Sequence, residues 1–204
     1  MHKEVLTEKQ TKLLSFVRLF SKDFGLVGGT AVAFYIGHRQ SIDFDLFSNK
    51  EFDNKQIRRV ISANNKKIKH VFKDEKDEYT VLIDGVKFTF LYYPFKIKFS
   101  ENFENMIKLP SLLTLGAMKA YVLGRRAKWK DYVDLYFIIK HYHSIDKLIK
   151  KAVQIFGAEF NEKIFRAQLA YFKDIDHSEK VIFTEKFKLD NKTIKKELIK
   201  LSVS

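Results

Sequence analysis

With 204 residues, 46% hydrophobic and 15% aromatic side chains including 20 Phe, the chain can fill one packed domain or a small core with a helical extension, which excludes disorder over most of its length. It has no cysteine, which excludes disulfides, thiolate nucleophiles and cysteine-ligated zinc. The net charge of +13 points to a polyanionic partner, although codons rich in A and T also produce such a lysine-rich composition.

The start, Met1-His2-Lys3-Glu4, is charged and leads into no apolar targeting segment. The most apolar stretch, residues 26–37, is broken by glycines and too short to span a bilayer, so a soluble cytoplasmic protein with no membrane partner is expected. Leu6, Leu13, Phe16, Val17 and Phe20 recur at helical spacing across residues 4–22. A short strand at 25–27 then enters Gly28-Gly29, and a helix follows over 30–36 with Thr30 as its expected N-cap. Residues 41–47 alternate: Ile42, Phe44 and Leu46 go to one face, Asp43 and Asp45 to the other.

A helix is expected at 54–65, then strands at 67–73, 78–83 and 86–92, the last two joined by the hairpin signal Asp84-Gly85. Beyond Pro110 the pattern turns helical: 111–123, closed by Gly124, then 129–141, 145–156, 160–172 and a Lys-rich amphipathic tail from 191. Tyr132, Tyr136 and Phe137 fit a packing stripe, and His141 and His143 read as surface or packing residues. The expected fold class is α/β (α+β), with a mixed-sheet core over residues 1–105 and an α-helical half over 106–204.

Two carboxylates at i and i+2 on one strand face repel each other unless a cation lies between them, and Mg²⁺ is the natural candidate because it binds carboxylate oxygens and keeps positions for phosphate. Upstream, Gly28-Gly29 before a helix offers backbone N–H groups and a positive dipole end to phosphates. Either motif alone is weak; both in order across a strand–turn–helix–strand unit are far more specific. The spacing of Val27-Gly28-Gly29 and Asp43-Phe44-Asp45-Leu46 resembles the signature of the nucleotidyltransferase superfamily typified by DNA polymerase β. The longer string LVGGTAVAFYIGHRQSIDFDLF, with MKAYVLGRRAKWKDYVDLYFI at 118–138, is similar to the AbiEii/AbiGii toxin family of nucleotidyltransferases.

The resemblance implies a nucleotidyltransferase-type fold, a site in the cleft between the halves, and particular roles. Gly28, Gly29 and Thr30 would bind the triphosphate, Asp43 and Asp45 would hold Mg²⁺, and Lys119 would contact phosphate. Asp131 matches the later family aspartate; Asp134, one turn on, is the alternative and could instead pair with Lys130. Arg39, Arg125 and Arg126 are candidate anion contacts, each compatible with a surface ion pair. Many relatives carry a third carboxylate on a later strand, where this chain has Lys87 and Thr89.

The expected activity is Mg²⁺-dependent transfer of a nucleoside monophosphate from an NTP to RNA, favoured as a tRNA 3′ end, by a toxin with a cognate antitoxin. The alternatives are transfer to a protein hydroxyl and a catalytically degenerate nucleotide- or RNA-binding module, the last prompted by Thr89.

Overall fold

A computed structural model describes residues 1–123 and 125–204. Gly124, the expected stop of its helix, lies outside them. In chain order the elements are α1 (Glu8–Val17), β1 (Gly25–Val27), α2 (Gly28–Ile36), β2 (Asp43–Ser48), α3 (Asn54–Ala63), β3 (Ile68–Asp74), β4 (Glu78–Ile83) and β5 (Val86–Tyr92). A ribbon of β6 (Glu101–Phe103) and β7 (Ile107–Leu109) follows, then α4 (Leu112–Leu123), α5 (Trp129–His141), α6 (Ile145–Phe156), α7 (Glu162–Leu169) and α8 (Asn191–Ser202). The fold is thus mixed α/β, as the sequence patterning implies.

The sheet runs β1-β2-β5-β4-β3, with β2 and β5 parallel and the other pairs antiparallel. Its period-2 patterning sorts the faces. Phe44 and Leu46, Tyr79, Val81 and Ile83, and Phe88 and Phe90 are fully buried on one side. There Phe20 packs edge-on against Phe90 at 4.8 Å and Phe16 against Phe88 at 5.9 Å, which seats α1 and the turn after it on the sheet. Asp43, Asp45, Lys87 and Thr89 are left on the opposite face, in register as Asp43↔Lys87 and Asp45↔Thr89.

Asp84 and Gly85 have φ of +49° and +79°, which closes the β4–β5 hairpin by the two-residue turn expected of that dipeptide. The helical half covers the carboxylate face. Tyr121 of α4 stacks on Phe156 of α6 at 4.0 Å, and Phe95, from the chain after β5, meets Phe156 at 4.8 Å. Among the described residues no helix is long and apolar enough to cross a membrane.

Three local expectations are corrected. Helix α2 starts two residues earlier than expected, with Val27 and not Thr30 at its N-cap, because the Thr30 hydroxyl donates to Asp43 O and pairs with the Ser41 hydroxyl at 2.9 Å. Ile42 lies ahead of β2 and is 48% exposed, so it does not share the apolar face of Phe44 and Leu46. Asp134 does not pair with Lys130; Lys130 turns to Glu179, while Asp134 is drawn inward by stronger partners.

Candidate active site

The site begins at the β1–α2 turn. Gly28 has φ +69°, and a Cβ there would lie 2.0 Å from Asp45 Oδ2. A Cβ on Gly29 would lie 2.5 Å from the Arg39 guanidinium. Gly28 therefore lets the turn approach the acidic strand at a distance no side chain permits, Gly29 leaves room for Arg39, and the N-cap Val27 places no side-chain bond on the first N–H groups of α2.

Strand β2 is anchored at its first residue. The Asp43 carbonyl accepts from Thr30 Oγ1 and from Gln10 Nε2, the latter at 3.3 Å, so α1 and α2 both hold the strand that carries the acids. Gln10 also completes the capping box at Thr7, which starts α1. Its contribution to the site was not visible in the sequence, because a buried glutamine on a helix carries no motif.

Asp43 and Asp45 are both half-buried on one face of β2. Burial pushes the Asp45 carboxyl above its usual range, and the Asp43 charge pushes it further in the same direction. Lys87 Nζ lies 3.0 Å from Asp43 Oδ2 and supplies part of the positive charge the pair attracts. These two hard-oxygen donors fit a divalent cation: the strained charge on Asp45 is what such an ion relieves, and two carboxylates leave further positions to phosphate and water. Among the described residues no group of three or more His, Asp or Glu forms a closed metal cage.

Opposite the strand, α4 and α5 form a buried charge network. Lys119 bonds Asp131 and lies 2.8 Å from Asp134 Oδ2. Arg39 grips Asp134 with two parallel bonds of 2.7 and 2.9 Å, and His38 Nε2 lies 2.8 Å from the same carboxylate. Arg126 Nε reaches Asp131 Oδ2 at 3.0 Å. Burial alone would raise both carboxyls, but Arg39 and Lys119 hold Asp134 well below the usual range, and Lys119 and Arg126 hold Asp131 below it. Burial, with the Arg39 and Lys119 charges, lowers the His38 pKa against the opposing pull of Asp134, and because the Asp134 carboxylate can only accept, His38 Nε2–H donates to it.

The two groups of residues face each other across a cleft. A cavity of about 400 Å³ is lined by Gly28, Asp45, Lys87 and Thr89 from the sheet side and by Lys119 and Arg126 from the helical side. Its inner wall is apolar, with Phe47, Leu91, Leu115 and Met118. A smaller, strongly charged cavity of about 90 Å³ adjoins it and shares Asp45, Lys87, Lys119 and Arg126; Gly29, Asp43 and Asp131 open onto this side.

The sequence-derived candidates thus divide. Gly28, Gly29, Asp43, Asp45, Lys119, Arg126 and Asp131 line one or both cavities. Thr30, Arg39 and Asp134 are at most 1% exposed, with polar atoms already committed inside the fold; of these, Arg39 still borders the small cavity from behind Gly29. Arg125 is turned to Tyr121 and Glu159, away from both. Lys87, His38 and Glu179 belong to the site or its support and were missed as functional residues. Only Lys87 left a signal, as the alternating partner of Thr89 on the strand paired with the acidic one.

This geometry, with paired acids on a strand after a glycine turn and a lysine facing them from a helix, is the arrangement expected of a nucleotidyltransferase. The chain belongs to the nucleotidyl transferase AbiEii toxin family, of the type IV toxin–antitoxin class, whose model matches residues 15–200. An uncharacterised protein of Aquifex aeolicus is 33% identical over 162 residues, which cover 74% of this chain and 75% of that protein. In fold the chain is similar to a candidate nucleotidyltransferase from H. pylori (TM-score 0.65, 19% identity, 100% of this chain and 95% of the other). It is also similar to MenT4, a nucleotidyltransferase toxin of Mycobacterium tuberculosis (TM-score 0.63, 12% identity, 94% and 80%). Family membership brings with it an NTP as substrate and an antitoxin as counterpart.

Proposed function

We propose that the chain transfers a nucleoside monophosphate from an NTP to RNA, with a tRNA 3′ end as the favoured acceptor, in the cytoplasm and with Mg²⁺. The observation that carries this reading is the convergence of Asp43, Asp45, Lys119 and Arg126 on adjoining cavities beside the Gly28-Gly29 turn. In this reading the core over 1–105 supplies the acids, and the helical half over 106–204 completes the cleft.

The larger cavity, with one apolar wall, suits the nucleoside of the NTP. Its triphosphate would lie along the N–H groups of Gly28 and Gly29, with Lys119 and Arg126 opposing its charge. Asp43 and Asp45 would hold Mg²⁺, which when bound neutralises charge building on the transferring phosphoryl group. The acceptor hydroxyl loses its proton to solvent as its oxygen bonds the α-phosphorus and the bond to the bridging oxygen breaks, and pyrophosphate leaves with the electron pair. Asp131 keeps the Lys119 ammonium charged and aimed, while Asp134, Arg39 and His38 fix the helix behind it. Thr30 contributes by fixing the Asp43 backbone.

Incubation of the purified protein with α-labelled NTPs, Mg²⁺ and total RNA tests the reading. Label that enters RNA and is released by ribonuclease supports it. Label in protein moves the acceptor to a protein hydroxyl, and nucleotide binding without turnover indicates a binding module.

A further inference from the structure

The chain between α7 and α8 is largely irregular, yet it is tied down on both sides of the small cavity. The Asp176 N–H donates to Ala127 O at 2.7 Å, and its carbonyl accepts from the Trp129 N–H at 3.1 Å. Further on, Ile182 O accepts from the Gln40 N–H at 2.9 Å and the Thr184 N–H donates to His38 O at 3.1 Å. Between these anchors Glu179 enters the cavity that also holds Gly29, Asp43 and Asp45.

Its two carboxylate oxygens are taken separately: Lys128 holds Oε1 and Lys130 holds Oε2, the latter at 2.9 Å. Lys128 is the N-cap of α5 and Lys130 lies two residues later, where the helix dipole also favours an anion. Partial burial pushes the Glu179 carboxyl up, but the bonds from Lys128 and Lys130 outweigh it and bring it to about 2, so it is fully ionised.

Two lysines at a helix N-terminus thus hold one oxyanion by its two terminal oxygens, in the cavity that the paired acids also line. A phosphodiester has that shape and charge. We propose that Lys128 and Lys130 form the phosphate subsite for the acceptor RNA strand, and that Glu179 occupies it as an internal stand-in which the incoming phosphodiester displaces. The exchange is non-covalent: Glu179 passes to water, and the strand gains two charge-assisted bonds. A phosphate anchored there directs the neighbouring hydroxyl towards Asp43 and Asp45. This inference rests on RNA being the acceptor.

Filter binding of bulk tRNA to the full chain, at several salt concentrations and without divalent ion, tests it. Binding of each of the four NTPs is measured in parallel. Glu179→Gln is expected to tighten tRNA binding several-fold. Lys128→Met with Lys130→Met is expected to weaken it about tenfold and to reduce the slope of log affinity against log salt by about two. NTP binding should change by less than tRNA binding in both. If wild type binds tRNA and Glu179→Gln leaves that affinity unchanged or weaker, the subsite is wrong while the RNA reading stands. If wild type binds NTP but neither it nor the variants bind tRNA, the RNA reading fails and takes the subsite with it. Thermal melts accompany each variant; should the double variant not fold, the Glu179→Gln result alone decides.

Discussion

A methyl group at position 28 would collide with Asp45 Oδ2, and the left-handed backbone there disfavours any side chain. Gly28→Ala is therefore expected to fold but to push the turn off the acidic strand. A displacement near 1 Å costs about 100-fold in turnover, and comparing kcat with the circular dichroism spectrum separates this from unfolding. Asp45 makes the complementary case. Its raised pKa means the fold binds a proton more readily than the unfolded chain, so the ionised group opposes folding at neutral pH unless a cation offsets it. Asp45→Asn should raise the metal-free Tm by about 2–4 °C, the shift roughly 1 kcal/mol produces in a domain of this size, and should abolish any rise in Tm that Mg²⁺ gives the wild type. A lower metal-free Tm for the variant would contradict this. In wild type, affinity for the ion should fall as pH drops through the raised Asp45 value. Both residues were legible in the sequence because the glycine turn and the i, i+2 acids are local patterns. The roles of Thr30 and Arg39 were not, since what occupies a hydroxyl or guanidinium depends on distant chain: Thr30 is held by Asp43 and Arg39 by Asp134.

Asp134 works between elements. It sits on α5, takes Arg39 and His38 from the loop after α2, and meets Lys119 of α4, so one carboxylate joins three segments behind the cleft. Removing it strands the buried Arg39 guanidinium and leaves Lys119 with Asp131 alone, and Asp134→Ala should destabilise the protein by about 3–5 kcal/mol, measured by urea unfolding. Its pKa is depressed in the fold, so its contribution is complete above its ordinary value of 3.8 and is lost as pH falls below that towards the folded value. Acid unfolding of the variant should lack this component. The sequence alone offered Asp134 either a place in the site or an i, i+4 partner in Lys130, because helical neighbours are all that spacing reveals. The pairing with Arg39, 95 positions away, required the packing of α5 against α2. Strands β1 to β5 and helices α2 to α8, by contrast, were read with small boundary errors, since their periodicities are set within each element, whereas the three-residue strands β6 and β7 are too short to show a period and were missed.

Across the whole molecule, the sheet supplies Asp43, Asp45 and Lys87, the α4–α5 side supplies Lys119, Arg126 and Asp131, and the cleft lies where the two meet. Thr89 in place of a third strand carboxylate remains a feature of the sheet, opposite Asp45. The family assignment makes the chain a nucleotidyltransferase nonetheless, so in our reading two strand acids and the facing Lys119–Asp131 pair carry the chemistry. Asp43 is the residue on which that account turns, and it can be changed without emptying the core, because it is half-buried and paired with Lys87. The direct measurement is incorporation of α-labelled nucleotide into RNA by wild type and Asp43→Asn at equal Mg²⁺, with melting curves for both. Labelling by wild type, at least about 100-fold lower in the folded variant, is the result expected. Equal labelling by the two proteins would contradict the account.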